Sequence, residues 1–252
     1  MAYNQIKKIK FEKGFYILTI NTNKYPIDEF FYEDLLAYEG KVLEVSDMLN
    51  LIAFSNACKT LKKLYKKIFK HSLSTFEVKQ KLQNDEISEE HIKLIIDKLK
   101  QSNYLNEDNF IAYHKEIYEN KKGKQAFKRF LQSKHISNKK IELAMLEFNE
   151  NVDYVYTYAE NFIKNKVGST NVLKQKLYVS LLNKGFEKSL IEEVIDKLSF
   201  DNEEKNLRID AKKMIKKYPN DYYKVLTKLL SKGYKSQLIK EILKQEGAQY
   251  EN

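Results

Sequence analysis

The stretch Leu181–Ile195 reads LLNKGFEKSLIEEVI, and it returns near the end of the sequence as Leu229–Leu243, LLSKGYKSQLIKEIL. Both copies consist of Leu-Leu-x-Lys-Gly-aromatic, three variable residues, and then Leu-Ile-x-Glu with two aliphatic residues. An internal repeat constrains the architecture of a chain more strongly than any local pattern does. We therefore interpret the remaining residues in relation to this pair.

Two weaker copies of the pattern lie upstream of this pair. The isoleucine that follows the variable residues aligns all four copies at intervals of 49, 50 and 48 residues. These isoleucines are Ile92, Ile141, Ile191 and Ile239. Leucine stands ten residues before each of them, and apolar residues stand five before and three and four after. The turn position varies more, since Gly185 and Gly233 correspond to His135 and Glu86.

Each copy predicts a helix, a turn and a second helix. A glycine at the turn suits a helix end that needs a left-handed residue, and the isoleucine spacing places one apolar stripe on the following helix. A further helix precedes each pair, at 47–70, 106–120, 153–166 and 204–217. We therefore expect a mainly α fold of tandem three-helix repeats in an elongated curved array. The predicted repeats are 47–105, 106–150, 151–202 and 203–252.

Residues 1–27 form the β-like part of the sequence and open a predicted N-terminal domain of residues 1–46. Ile9 and Phe11 alternate with charged residues, and a second aromatic and β-branched run follows the Lys13-Gly14 turn. This pattern predicts a hairpin or three-stranded meander, with Pro26 in a strand at an edge because proline cannot donate to the ladder. A short helix is expected from Asp28 through Ala37.

The net charge of +10 and the pI of about 9.2 favour a polyanion or an acidic protein surface as partner. A lysine-rich composition of the kind found in proteins from AT-rich genomes would give the same excess of positive charge without any function. Cys58 is the single cysteine, so no internal disulfide can form. The sequence shows neither a signal peptide nor a long apolar run, and we expect a cytoplasmic protein without membrane association.

The longest predicted helix carries a lysine-rich face. Its lysines recur at intervals of three and four residues, which places them on one side of a helix. They are Lys59, Lys62, Lys63, Lys66, Lys67 and Lys70. The face is interpreted either as a docking surface for a polyanion or acidic groove, or as the solvated side of a lysine-rich protein.

A second basic cluster combines a loop with a predicted helix start. Its members are Lys121, Lys122, Lys124, Lys128 and Arg129. A helix start presents backbone N–H groups next to the cations, an arrangement that suits an anion. The same residues are also consistent with an ordinary surface turn.

Tyr154, Tyr156 and Tyr158 alternate along the third repeat. Bases could stack on such rings. Val155, Ala159, Phe162 and Ile163 complete a helical stripe around them, which favours packing in the core or between repeats.

Sequence motifs for catalysis are missing. No G-x-x-x-x-G-K-[ST] loop and no G-x-G-x-x-G stretch occurs, and the four histidines lie at no helical ligand spacing. One cysteine makes a typical zinc site improbable. We therefore expect no catalytic residues, no cofactor, no metal and no enzymatic activity.

The order of local motifs resembles the RecX family of recombination regulators. Ser74–Leu82 is similar to that family's SxxEVxxxL, Asn103–Tyr113 to GYLDDxxFAxxY, and Lys121-Lys-Gly-Lys124 to the K-x-G stretch that follows. Leu181–Phe186 resembles the LxxKGI/F turn. Two departures are visible: Asn103 replaces the usual glycine, and His135-Ile136 stands where the family prefers Gly-Ile.

This resemblance implies a non-enzymatic modulator of RecA, with a role in recombination, DNA repair and the SOS response. Family members bind the RecA filament, lie along its helical groove and restrain ATP hydrolysis, strand exchange and coprotease action. Some also touch DNA, so single- or double-stranded DNA is a further expected ligand. We expect a monomer whose RecA- or DNA-binding candidates are the eleven basic residues named above. Two alternatives stay open, a repeat protein that binds nucleic acid directly and a protein-binding scaffold unrelated to recombination.

Overall fold

In a computed structural model, residues 4–219 and 221–246 are described, apart from the side chains of residues 30, 34 and 69–71. The described chain is mainly helical, with a small antiparallel sheet at its N-terminal end. The predicted fold class is confirmed in these terms. Two compact units are present. Among the described residues, unit 1 comprises those up to His114 together with Leu131–Asn138, and unit 2 comprises Lys115–Phe130 and those from Lys139 onward. The outer ends of the first and last predicted domains lie outside the described residues.

The sheet is a three-stranded meander of β1 (Ile6–Glu12), β2 (Phe15–Ile20) and β3 (Asn23–Asp28). Lys13-Gly14 forms the first turn with positive φ at both residues, which lets two strands reverse over two residues. Pro26 pairs with Ile17 in β3, an edge strand of the sheet, as the prediction required. The predicted meander is therefore confirmed.

The helix expected after the sheet is shorter than the sequence indicated. Asp28 still belongs to β3, α1 spans Glu29–Tyr32, and a 3₁₀ turn covers Glu33–Leu35. Leu36 then takes a left-handed conformation with a φ of 43°, so the helical run ends at Leu35, two residues before Ala37.

Four groups of three helices follow in the part of the chain that the structure describes. They are α2 (Val45–His71), α3 (Thr75–Asn84), α4 (Glu89–Gln101), α5 (Glu107–Glu119), α6 (Lys124–Ser133), α7 (Asn138–Leu146), α8 (Val152–Lys164), α9 (Thr170–Asn183), α10 (Lys188–Lys197), α11 (Glu203–Lys217), α12 (Tyr222–Ser231) and α13 (Ser236–Gln245). The last helix of each group carries one of the four aligned isoleucines, and all four are buried. Ser74 and Glu77 form a capping box at the start of α3.

The turn before each of these last helices has the same backbone conformation in all four groups. Gly185 and Gly233 have φ angles of 88° and 82°, and Glu86 and His135 have φ angles of 59° and 57°. Asn103, which stands where the resemblance expects glycine, also has a positive φ of 60°. The left-handed turn is therefore kept where the glycine is not, at the energetic cost of placing a Cβ in this region.

Within unit 1, α2 packs beside β3 and is fixed to it by polar contacts. The Tyr65 hydroxyl donates to Oδ2 of the buried Asp28 over 2.7 Å, and the Asp28 N–H donates to Sγ of Cys58 over 3.3 Å. Burial raises the pKa of Cys58 to about 12, so the thiol stays neutral and behaves as a small core residue.

The start of one helix meets a later turn at three places, which we call the first, second and third junctions. In the first junction, the start of α3 meets the turn Lys134–Ile136 inside unit 1. Lys134 Nζ lies 2.7 Å from Oε1 of Glu77, and the rings of Phe76 and His135 have centroids 4.1 Å apart. Side chains therefore make these contacts.

In the second junction, the start of α6 meets the turn Lys184–Phe186 inside unit 2. The Gly123 N–H donates to the Lys184 carbonyl over 3.1 Å, and the Gln125 N–H donates to the Gly185 carbonyl over 2.9 Å. A Cβ built on Gly123 would stand 2.2 Å from the backbone of Gly185. Backbone therefore packs directly on backbone.

In the third junction, the start of α9 meets the turn Lys232–Tyr234, also inside unit 2. The buried Ser169 hydroxyl donates to the Lys232 carbonyl over 2.9 Å. Buried Asp210 accepts from Lys232 Nζ over 2.7 Å and from the Tyr234 hydroxyl over 3.0 Å. Burial, followed by the hydrogen bond to Asp210, raises the pKa of Tyr234, which stays neutral as a donor.

Candidate interaction surfaces

The predicted lysine face lies on the exposed side of α2 in unit 1. Five of its six side chains are described and all five are exposed, namely Lys59, Lys62, Lys63, Lys66 and Lys67. The side chain of Lys70 lies outside the described part of the protein. Lys62 is the best anchored of the five, because its Nζ sits 4.7 Å from the centroid of the Phe15 ring.

The charge of this face is not neutralised locally. Among the described side chains, none of these five lysines forms an ion pair with a carboxylate, and Lys59 contacts only the amide oxygen of Asn56 at 3.3 Å. Lysines three and four residues apart repel each other and slightly weaken the helix. An uncompensated positive potential of this kind attracts anionic groups and speeds their association.

The second predicted cluster divides into two kinds of residue. Lys121, Lys122, Lys128 and Arg129 are exposed, and Lys122 Nζ lies 5.3 Å from the Tyr118 ring centroid. Lys124 is half-buried, and its Nζ lies 4.0 Å from Oε1 of Glu187. The side chain of Lys124 thus serves the second junction, and the other four remain candidates for contact with a partner.

The expected role of backbone N–H groups at the start of α6 is wrong. Gly123, Lys124 and Gln125 all donate their N–H groups inside the protein, the middle one to Oε1 of Glu150 over 2.8 Å. Burial raises the pKa of Glu150, and the Lys124 and Glu187 N–H donors oppose this rise. An anion at this position would therefore be bound by side chains and not by backbone amides.

The three alternating tyrosines are half-buried in unit 2. The Tyr158 hydroxyl lies 2.7 Å from Ser180 Oγ, and Lys184 Nζ lies 3.3 Å from the Tyr154 hydroxyl. All three, including Tyr156, pack against the core formed by α8, α9 and α10. These contacts favour packing over base stacking, in agreement with the preferred interpretation from the sequence.

A cavity of about 560 Å³ opens in unit 1 beside α2 and α4, with Leu51, Phe54 and Leu94 among its apolar residues. His91 also lines it, and its Nδ1 lies 2.6 Å from Ser88 Oγ. A serine–histidine contact can activate a hydroxyl when a third group orients the ring. Ser88 here is the N-cap of α4, and no carboxylate bonded to His91 is found among the described residues.

In residues 4–219 and 221–246, no three His, Cys, Asp or Glu side chains are grouped so that they could hold a metal ion. Across the same residues, no helix combines the length and the apolar character that crossing a membrane requires.

An exposed apolar stretch, absent from the candidates predicted from the sequence, lies in line with the lysines on α2. Its residues are Val45, Leu49 and Ile52, and all three are exposed. Their spacing of four and then three residues continues into the lysines and is the signal that could have revealed them.

No family model matches the chain. Regulatory protein RecX of Bacillus subtilis (strain 168) is 30% identical over 187 residues, which cover 69% of this chain and 71% of that protein. Regulatory protein RecX of Staphylococcus haemolyticus (strain JCSC1435) is 26% identical over 223 residues, covering 83% and 84% of the two chains. A crystal structure of regulatory protein RecX has a TM-score of 0.56 at 19% identity, covering 77% of this chain and 99% of that one, and shows likeness of fold.

Proposed function

The chain belongs to the RecX family, and from this premise we propose that it is a non-enzymatic regulator that binds RecA filaments and restrains them. The relatives are named regulatory proteins, which supports regulation of RecA as the broad role. Within this broad role, we propose specifically that the protein binds the filament and inhibits its activities.

The observation that carries the proposal is the exposed, unneutralised lysine face of α2. A filament formed on DNA offers phosphates and acidic side chains, and both attract such a face. The exposed members of the second cluster add a further point of attachment at Lys121, Lys122, Lys128 and Arg129. Two attachments to neighbouring filament subunits raise the effective concentration of each other, so contacts that are individually weak can hold the protein in place.

ATP hydrolysis by RecA on single-stranded DNA provides the test. We expect the protein to slow hydrolysis at amounts below one molecule per RecA subunit, because one regulator would engage several subunits. Replacing Lys121, Lys128 and Arg129 by Gln should weaken inhibition by about tenfold, while Lys240→Gln with Lys244→Gln on α13 should not. Unchanged hydrolysis at stoichiometric protein would remove the proposal.

Direct binding of nucleic acid is the second candidate, and the same exposed lysines favour it. Direct binding of nucleic acid by lysines releases counterions, so the affinity for a naked oligonucleotide would fall steeply as the salt concentration rises. A flat salt response, or no binding in the absence of RecA, would exclude this candidate and leave the protein contact as the main one.

We further propose that residues 47–105, 106–150, 151–202 and 203–252 act as successive modules of a cytoplasmic monomer. The repeated junctions and buried isoleucines support this division. Sedimentation of the purified protein tests the monomer, and a species of twice the chain mass would contradict it.

A further inference from the structure

The outward face of α2 carries one straight line of side chains from its first turn to its last described lysines. Intervals of four and three residues alternate along this line, which keeps its members on one side of the helix. The members, which we call the α2 seam, are Val45, Leu49, Ile52, Asn56, Lys59, Lys63 and Lys66. All seven are exposed.

The two halves of the α2 seam differ in chemistry. Val45, Leu49 and Ile52 are exposed to 74%, 64% and 37% in the first half. A single exposed leucine means little, but aligned apolar side chains that lead into a run of charges mark a surface suited to a partner. Lys59, Lys63 and Lys66 form the second half, with Asn56 between the two.

We propose that the α2 seam receives an amphipathic helix of a partner protein, with apolar residues opposite Val45–Ile52 and acidic residues opposite Lys59–Lys66. This inference rests on the proposed function in so far as the partner is the RecA filament. The seam covers roughly 32 Å at 1.5 Å per residue, a length that suits a helix laid along it. Helices that pack with this spacing interlock along such a line.

Nucleic acid fits the α2 seam less well than an acidic helix does. A nucleic-acid strand carries phosphates along its whole length, so the apolar half would face charges that it cannot neutralise. An acidic and apolar helix matches both halves at once, because its own residues can change from one class to the other along its length.

A second copy of the chain is also a poor occupant. A parallel copy of α2 would place lysines against lysines, and like charges repel at this distance. An antiparallel copy would place the lysines of each chain against Val45 and Leu49 of the other, which desolvates charge without a partner. Charge complementarity therefore selects a different, acidic chain.

The experiment uses the full-length protein and labelled synthetic helical peptides. One ordered peptide has leucines at the seam-facing positions of its first half and glutamates at those of its second half. The other ordered peptide has the two halves exchanged. A third peptide, with leucines and glutamates mixed along both halves, is the control. Fluorescence anisotropy gives the dissociation constant of each, and we expect one of the two ordered peptides to bind at least about tenfold more tightly than the mixed one.

Two pairs of substitutions then locate the contact. Val45→Ser with Leu49→Ser, and separately Lys63→Gln with Lys66→Gln, should each weaken the ordered peptide by about tenfold. The matched controls are Leu143→Ser with Leu146→Ser on α7, whose side chains are 55% and 83% exposed, and Lys240→Gln with Lys244→Gln. All eight positions are at the surface, so the fold is expected to persist, and circular dichroism checks it.

The outcomes separate this inference from the proposed function. Two outcomes would overturn the assignment of the α2 seam as a docking site for a helix. They are equal affinity for ordered and mixed peptides, and tight binding that survives Val45→Ser with Leu49→Ser. Peptide binding that depends on both halves would support it even if RecA hydrolysis is unaffected, in which case the proposed function fails alone. If RecA is the partner, the Val45 and Leu49 pair should also weaken filament inhibition and leave any binding to oligo(dT) unchanged.

Discussion

The first and second junctions perform the same task with opposite means. At the first, Lys134 and His135 reach the start of α3 with side chains, and the left-handed turn residue keeps its Cβ. At the second, Gly123 and Gly185 bring two backbones so close that neither has room for a Cβ. A left-handed turn alone therefore tolerates histidine or glutamate, and the close approach of a second backbone is what makes glycine necessary.

The largest expected effect is at Gly185. Gly185→Ala forces a Cβ into a residue with a φ of 88° and places it 2.3 Å from the Ala126 nitrogen. Left-handed strain and overpacking together should destabilise unit 2 by about 2–5 kcal/mol. Urea unfolding followed by circular dichroism measures the loss, and amide hydrogen exchange should locate it at the starts of α6 and α10.

His135→Ala is the matched control for this change. His135 already carries a Cβ at a φ of 57°, so only the contact with the Phe76 ring is lost, at a cost of about 0.5–1.5 kcal/mol. Equal losses for the two variants would show that close backbone packing does not distinguish the second junction from the first.

The third junction lies between the side-chain contacts of the first and the backbone packing of the second, because the Ser169 side chain there contacts a backbone carbonyl. A substitution of Ser169 tests this contact. The Ser169 hydroxyl both caps α9, by accepting from the Val172 N–H over 3.4 Å, and donates to the Lys232 carbonyl. Ser169→Ala should cost about 2 kcal/mol, since a cap is lost and the half-buried Lys232 carbonyl loses its donor. Asn151→Ala, which removes a cap on α8 that bonds only the Tyr154 N–H in its own helix, should cost about 1 kcal/mol.

A pH test distinguishes the first junction by its ion pair. Burial acts to raise the pKa of Glu77, but the hydrogen bonds from Lys134 and Ser74 outweigh it and hold that pKa below its usual value. The resulting stability is present above the unfolded-state pKa and is lost as the pH falls through the folded-state pKa. The side chains of Lys134 and Glu77 are 23% and 28% exposed, so the contribution is about 1 kcal/mol.

Glu77→Gln should therefore flatten the acid side of the stability curve below about pH 4.5, and Lys134→Met should do the same. The double variant should lose less than the sum of the two single losses. Glu150 at the second junction has a raised pKa, so its protonation favours the folded chain as the pH falls towards the unfolded-state pKa. This effect is opposite in sign to that of Glu77 and falls at higher pH. Additive losses at Glu77 and Lys134 would mean that the first junction does not depend on this pair.

Much of the fold follows from the repeated columns. Ile92, Ile141, Ile191 and Ile239 are buried in corresponding helices, because an apolar residue held at a fixed place in each copy has the same packing partner to meet. The sequence could not show why Gly123 is glycine, since the reason lies in a turn some sixty residues later. The spacing of residues around Gly123 carries no information about which distant backbone segment packs against it.

The candidate surfaces were predicted less completely than the core. The lysine face of α2 was visible in the sequence because charge repeats at helical spacing. The exposed state of Val45 and Leu49 was not, since apolar residues near a helix start are ordinarily assigned to the core. Whether such a side chain faces the core or solvent depends on what α2 packs against, which only the fold reveals.

The smallest effect is expected at Glu86, where glycine is introduced at a left-handed turn position that lacks it. Glu86 is exposed and holds a φ of 59° at the turn of the first helix group. Because its left-handed strain is relieved and the exposed side chain has little to lose, Glu86→Gly should stabilise the protein by about 0.5–1 kcal/mol. His135→Gly should gain less, because the same relief is offset by the lost Phe76 contact. If both glycine variants instead lowered the urea midpoint, strain at the left-handed position would be too small to explain where this chain keeps its glycines.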